Sequence, residues 1–215
     1  MIEPPRLGRE RLLLDAAEFG NDRELENGTL EDFSWSGLAA HRASLHRVRI
    51  TRADMISLDM RQGGFVDMQL EHGVLSGMIA VESLWRRVLV KSSRADGMVA
   101  YSSQFFDVQI QSTRMDQANL RSGRMRNVDF IGCSLREVDF AGASLRNVSF
   151  DDCDITGADF TGAKMKNVDL RHARFEFLNG FSGLRGALMT YQQVIQLAPI
   201  LARQAGIIID ENESA

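Results

Sequence analysis

The chain has 215 residues, 44% of them hydrophobic, with only 3 prolines, which suits one sizeable folded domain and excludes a disordered chain. Its net charge of -4 excludes the strongly basic balance of a typical nucleic-acid binder, and 2 cysteines, Cys133 and Cys153, are too few for a disulfide framework. No apolar run approaches the roughly 18 residues of a membrane helix. The start, "MIEPPRLGRERLLLDAAEFG", lacks the order of a secretory signal, so a cytoplasmic location is expected.

Residues 1–27 hold seven acidic and four basic residues and no apolar period. They are expected to form an N-terminal cap, partly helical around Arg9 to Phe19.

From Leu30 an apolar residue returns every five positions: Trp35, Ala40, Leu45, and so on through Phe160, Met165 and Leu170 to Phe175. All thirty positions are apolar, a run with a chance probability of about 10^-11 at this composition. A helix repeats near 3.6 and a strand at 2, so a period of five belongs to neither alone. Calling these positions i, position i-2 is small and apolar, as in Val128, Cys133, Val138 and Ala143. Two inward side chains per unit describe a very short extended segment. Position i+2, read from Ser122 to His172, favours turn formers such as Asn127, Gly132, Gly142 and Asp152. Each unit is therefore one short side plus one corner, and a chain that always turns the same way stacks coil on coil. Proline is absent between Leu7 and Ala198, as expected where backbone N–H groups bond from coil to coil.

Units such as "ADFTG", "ANLRS", "VDFIG" and "ASLRN" resemble the A(D/N)LxX units of the pentapeptide-repeat family, and the resemblance covers Gly28 to Leu178. It implies an all-β fold, a right-handed quadrilateral parallel β-helix with four units per coil. Thirty units then make about 7.5 coils and, at about 4.8 Å per coil, a rod about 36 Å long. Residues 1–27 would be the N-terminal cap, 28–178 the β-helix, and 179–215 a C-terminal helical cap or dimerisation segment and tail. The stretch "KSSRADGMVA", Lys91 to Ala100, reads as a loosened or bulged coil, because the i residues shrink three times between Ala80 and Ala100.

Near the C-terminus, Thr190 and Gln193 fit a capping box, Val194, Leu197 and Leu201 fall at helical spacing, and Gly206 suits a C-cap. Pro199 is expected to end or kink that helix. Leu184, Tyr191, Val194, Leu197 and Leu201 could cover the last coil or join two copies. The resemblance to Qnr- and MfpA-type members implies a homodimer made through this segment.

Several stretches imitate chemistry. "DDCDITGAD" places Asp152, Asp154, Gly157 and Asp159 as in a calcium loop, but Lys164 stands where the closing Glu is required. Cys133 and Cys153 are 20 apart, hence stacked on adjacent coils, and read as small buried core thiols. His41, His46, His72 and His172 fall at outward or corner positions with no carboxylate or cysteine at ligand spacing. No metal site, cofactor or catalytic motif is expected, and a narrow solenoid filled by its own side chains leaves no room for a substrate, so an enzyme is not expected.

Outward residues 20 apart form ladders. The side of Met125, Leu145 and Met165 carries Arg124, Arg126, Arg146, Lys164 and Lys166. The adjoining side of Phe130, Phe150 and Leu170 carries Asp129, Asp151, Asp152 and Asp169 against Arg171, with Asp139 and Asp159 expected on the next side. Qnr- and MfpA-type proteins bind type II topoisomerases where DNA would lie. The resemblance therefore implies a DNA mimic that binds DNA gyrase or topoisomerase IV through these aspartates and inhibits the enzyme or protects it from drugs and toxins. A scaffold with another protein partner is the alternative.

Overall fold

The computed structural model describes residues 2–7, 12–204 and 206–209. Its backbone is one parallel sheet of ten strands in chain order. They are β1 Leu12–Leu13, β2 Glu24–Ser34, β3 Ser44–Asp54, β4 Gly64–Glu71 and β5 Leu84–Lys91, then β6 Gln104–Gln111, β7 Arg124–Ile131, β8 Ser144–Asp151, β9 Lys164–Asp169 and β10 Ala187–Leu188. Each coil takes 20 residues: Phe105 pairs with Met125, Met125 with Leu145, and Leu145 with Met165. These strands cover two sides of every coil. The other two sides are held by single bridges in the same register, such as Asn119 to Asp139 to Asp159 and Arg114 to Ser134 to Asp154. The solenoid is thus a quadrilateral parallel β-helix. It is longer than the repeat count implies, because strand pairing continues past the counted units at both ends.

Position i points inward throughout. Phe130, Phe140, Phe150 and Phe160 are fully buried; Phe130 stacks on Phe150 at 5.1 Å and Phe140 on Phe160 at 5.2 Å between ring centroids. Phe140 and Phe150 meet edge to face at 5.8 Å, the geometry that aromatic quadrupoles prefer.

The corners are left-handed. Every i+2 residue from Asp22 to Asn167 has positive φ, including Arg42 at 57° and Arg87 at 50°. A non-glycine residue in this conformation costs about 1–2 kcal/mol. Hydrogen bonds between corners one coil apart offset it: Arg42 Nε donates to Asp22 at 2.6 Å, Arg52 Nε to Asp32 at 2.6 Å, and Asn147 Nδ2 to Asn127 at 2.9 Å.

Residues 91–100, expected to be loosened or bulged, form two regular sides, with Arg94 and Val99 bridged to the coils above and below. The small Ala80 and Ala100 are balanced by the large, buried Met78 and Met98 at i-2, so the cross-section stays filled. Buried Ser93 also stands at an inward position with its hydroxyl satisfied: it donates to Lys91 O at 2.8 Å and accepts from Gly73 N–H at 3.1 Å.

Both ends differ from the expected detail. Of the stretch expected to be partly helical, residues 9–11 lie outside the described residues. Leu12–Leu13 is a strand on the edge of β2, and only Ala16–Glu18 makes a helical turn, capped by Asp15. Phe19 stacks on Trp35 at 4.1 Å, closing the first coil. At the other end the capping box is present: Thr190 N–H donates to Gln193 Oε1 at 2.8 Å and Gln193 N–H to Thr190 Oγ1 at 3.2 Å. It opens helix α1, Tyr191–Gln204. Pro199 neither ends that helix nor keeps it from reaching Gln204. The carbonyl it leaves without a donor is that of exposed Ile195, where water can serve. Gly206, at φ 77°, ends the helix, with Ile207 N–H bonded back to Ala202 O at 2.9 Å.

Helix α1 closes the rod through two glutamines. Gln193 Nε2 donates to Leu170 O at 2.7 Å and Ala173 O at 2.9 Å, and Gln196 Nε2 to Phe175 O at 2.6 Å. These carbonyls would otherwise form an open sheet edge. The chain before α1 lies close on the last coil. A Cβ on Gly183 would sit 1.8 Å from Phe160 O, so only glycine fits there.

Candidate functional site

The interior is occupied by its own side chains, so recognition falls to the outer surface. The Asp129–Asp169 side does not form an unbroken row of carboxylates. Ser149 lies between Asp129 and Asp169 in register and donates to Asp129 at 2.6 Å. Asp169 accepts Arg171 N–H at 3.0 Å and pairs with its guanidinium at 2.7 Å, which holds its carboxyl below the usual value. Asp152 pairs with Arg174 at 3.1 Å, and Asp151 lies 3.7 Å from His172. The coil brings Asp151, Asp169 and His172 together with Ser149 and Phe150 around a cleft of about 310 Å³. That cleft is lined by two carboxylates and an imidazole.

Asp139 and Asp159 do not adjoin this side. They belong to the side of Phe140 and Phe160, two corners from that of Phe150 in either direction, hence across the coil. Asp139 accepts from Ala141 N–H at 2.8 Å and pairs with Arg121 at 3.1 Å; Asp159 accepts from Thr161 N–H at 2.8 Å. Both serve as turn acceptors, and the six aspartates divide four and two between opposite sides. The basic side, with Arg124, Arg126, Arg146, Lys164 and Lys166, lies between them.

The N-terminal arm was not legible from the beat. Arg6 N–H donates to Asp67 at 2.9 Å, and Ile2, Glu3, Pro4 and Pro5 line a cleft of about 360 Å³ with Val88, Leu89, Gln109 and Asp129. The arm therefore reaches the start of the acidic side.

His41, His46 and His172 do have carboxylate neighbours, contrary to expectation, because these come from adjacent coils. His41 lies 3.2 Å from Asp59, and His46 Nδ1 lies 3.9 Å from both Glu24 and Glu26. Among the described residues, Glu24, Glu26 and His46 form a group with metal-compatible donors. Arg47 already occupies it, donating to Glu26 at 3.1 Å and lying 3.2 Å from His46 Nε2. In the calcium-like stretch, Asp154 pairs with Arg136 at 3.1 Å and Asp152 with Arg174. Cys133 and Cys153 are buried free thiols; the Cys133 N–H lies 3.4 Å from Cys153 Sγ, and the bond with Cys133 together with burial pushes the Cys153 thiol up.

Helix α1 turns Leu197 into the core at 2% exposure, while Tyr191 is 80% and Val194 46% exposed. Leu197 and the half-buried Leu184 cover the last coil, whereas Tyr191, Val194, Ile195 and Leu201 face outward. No helix among the described residues is long and apolar enough to cross a membrane.

No curated protein sequence matches the chain. Among solved structures it is similar to HetL, a pentapeptide repeat protein involved in heterocyst differentiation regulation from the cyanobacterium Nostoc sp. strain PCC 7120. The identity is 16% over 80% of this chain and 88% of that one, with a TM-score of 0.45. It is also similar to full-length QnrB1, a plasmid-mediated fluoroquinolone resistance protein, at 16% identity over 91% of this chain and 95% of that one, with a TM-score of 0.42. A pentapeptide repeat protein from the Arabidopsis thaliana thylakoid lumen matches at 23% identity over 44% of this chain and 66% of that one, with a TM-score of 0.41. Residues 102–179 match the family model described as the pentapeptide repeat region. Residues 102–179 are thus a pentapeptide repeat region, and coils in the same five-residue frame continue on its N-terminal side.

Proposed function

We propose that the protein is a cytoplasmic, non-enzymatic rod that binds DNA gyrase or topoisomerase IV through the acidic side near its C-terminal end. The cleft of Asp151, Asp169 and His172, flanked by Asp129 and Asp152, carries this reading, because it offers carboxylates in a concave setting to a basic surface. The sequence resemblance to Qnr- and MfpA-type members supports it. Asp139 and Asp159, across the coil, take no part in that contact. The test is gyrase supercoiling with the variant Asp129→Asn, Asp151→Asn, Asp152→Asn, Asp169→Asn. Asparagine keeps the acceptor oxygen that Asp169 lends to Arg171 N–H, so the fold is retained while inhibition falls. Full inhibition by this variant counts against the acidic side. Absence of any effect of the wild type on supercoiling or on drug-induced cleavage leaves a scaffold for another protein.

We further propose that exposed Tyr191, Val194, Ile195 and Leu201 join two copies through α1. Truncation after Phe181 is expected to give a monomer, but it also uncovers the carbonyls of Leu170, Ala173 and Phe175. The double variant Tyr191→Glu, Ile195→Glu keeps Gln193 and Gln196 in place and is the cleaner test. Light scattering should show a wild-type dimer and a variant monomer; a monomeric wild type at micromolar concentration would make α1 a cap only.

A further inference from the structure

We infer that the side between the two acidic sides is a second interaction surface, and that its partner is an extended acidic polypeptide segment. Arg86, Arg126, Arg146 and Lys166 follow the register of β5 to β9, with Phe106 between the first two, and Arg124 and Lys164 flank them in the neighbouring column. All six cations are exposed. Many arginines elsewhere on the coils are held by carboxylates, as in Arg42 with Asp22, Arg52 with Asp32, Arg87 with Asp67 and Arg121 with Asp139. These six have no ion pair among the described residues. Five cations within three adjacent coils, none neutralised, repel one another; they stabilise nothing within the chain, and an anionic partner would relieve that repulsion.

The adjoining corner column offers amides. Asn167 donates to Asn147 at 3.0 Å, Asn147 to Asn127, and Asn127 to Asp107 at 2.9 Å. Each Asn amide has a second N–H left over, and the carboxylate of Asp107 at the end of the row is itself hydrogen-bonded. The strip therefore presents donors almost alone, over about 19 Å from Arg86 to Lys166 at about 4.8 Å per coil.

Its width selects the occupant. The strip occupies one side of the coil, with Asp129 and Asp169 beyond one corner and Asp139 and Asp159 beyond the other. A duplex broad enough to overhang the strip would meet these carboxylates within the screening length of about 10 Å at 0.1 M salt. A single-stranded nucleic acid needs aromatic platforms for its bases, and Phe106, itself half-buried, is the aromatic residue of the strip. A single extended peptide is narrow enough to lie between the acidic columns, and its carboxylates suit bidentate arginines.

The probe is a labelled oligo-glutamate of about eight residues, long enough at about 3.4 Å per residue to span the strip. Its anisotropy is followed against full-length protein at low and physiological salt. Saturable binding is expected that weakens with salt and falls about tenfold or more in Arg126→Gln, Arg146→Gln, Lys166→Gln. Arg49→Gln, which removes an unpaired cation on another side, should bind as wild type, and thermal melting should show all variants folded. The inference is overturned by absence of saturable peptide binding, by equal binding to the triple variant, or by tighter binding of an oligothymidine or short duplex. It is equally overturned if the wild type self-associates and the triple variant does not, since the strip then belongs to a second copy.

Discussion

Phe140→Asp is expected to leave the chain unable to fold into a closed coil. Phe140 has 0% exposure, lies at 5.2 Å from Phe160 one coil above, and meets Phe130 and Phe150 edge to face. Removing the ring alone, as in Phe140→Ala, should cost about 3–5 kcal/mol through lost burial and the cavity left behind. A carboxylate there adds a buried charge with no partner, since among the described residues its surroundings are the apolar side chains of neighbouring coils. The coil must open to hydrate it. Denaturant titration of both variants measures the effect. Wild-type stability in Phe140→Asp would mean that position i does not point inward.

The second large effect is expected at Asp67. Its side chain is 5% exposed and accepts two bonds from Arg87, each 2.6 Å, and one from Arg6 N–H at 2.9 Å. Asp67→Ala leaves the Arg87 guanidinium, 18% exposed, without its counter-charge, detaches the N-terminal arm, and places alanine at a φ of 54°. Breaking a buried pair on one side costs about 3–5 kcal/mol. The same pair predicts a pH effect. Burial pushes the Asp67 carboxyl up, but the bonds from Arg87 and Arg6 and the charges of Arg87 and His46 outweigh it and hold it below its ordinary value of 3.8. A depressed carboxyl contributes stability that is fully present above the unfolded-state value and lost as pH falls through the folded one. Stability should therefore drop on acidification below about pH 4, and Asp67→Asn should flatten that drop. An unchanged acid profile would show that the Arg87 pair contributes little.

The repeat was legible because the interior dictates it: each coil admits two inward side chains per side, so Leu30 to Phe175 must be apolar. The corner could be seen as turn-forming, but not that Arg42, Arg52 and Arg87 would occupy left-handed backbone. Their partners, Asp22, Asp32 and Asp67, are separated from them by 20 residues and become neighbours only once the coil closes. The same separation hid the carboxylates around His46. Residues 91–100 keep regular sides because Met98 fills the space that the small Ala100 leaves, a compensation visible only when both inward positions are taken together. At the C-terminus the capping box is visible in Thr190 and Gln193, while the bonds of Gln193 to the carbonyls of Leu170 and Ala173 depend on where the helix lands. Asp139 lies across the coil from Asp129 rather than on the next side, because five residues make one corner and ten reach the opposite wall.

Equilibrium binding of the purified protein to DNA gyrase, measured directly at two salt concentrations, bears most closely on the proposed role. Binding in the micromolar range is expected, weaker at higher salt because exposed charges are screened, and weakened about tenfold or more by neutralising Asp129, Asp151, Asp152 and Asp169 together. The Arg126→Gln, Arg146→Gln, Lys166→Gln variant should bind gyrase as the wild type does. Absence of binding, or equal binding by the four-aspartate variant, would contradict the acidic side as a gyrase-binding surface.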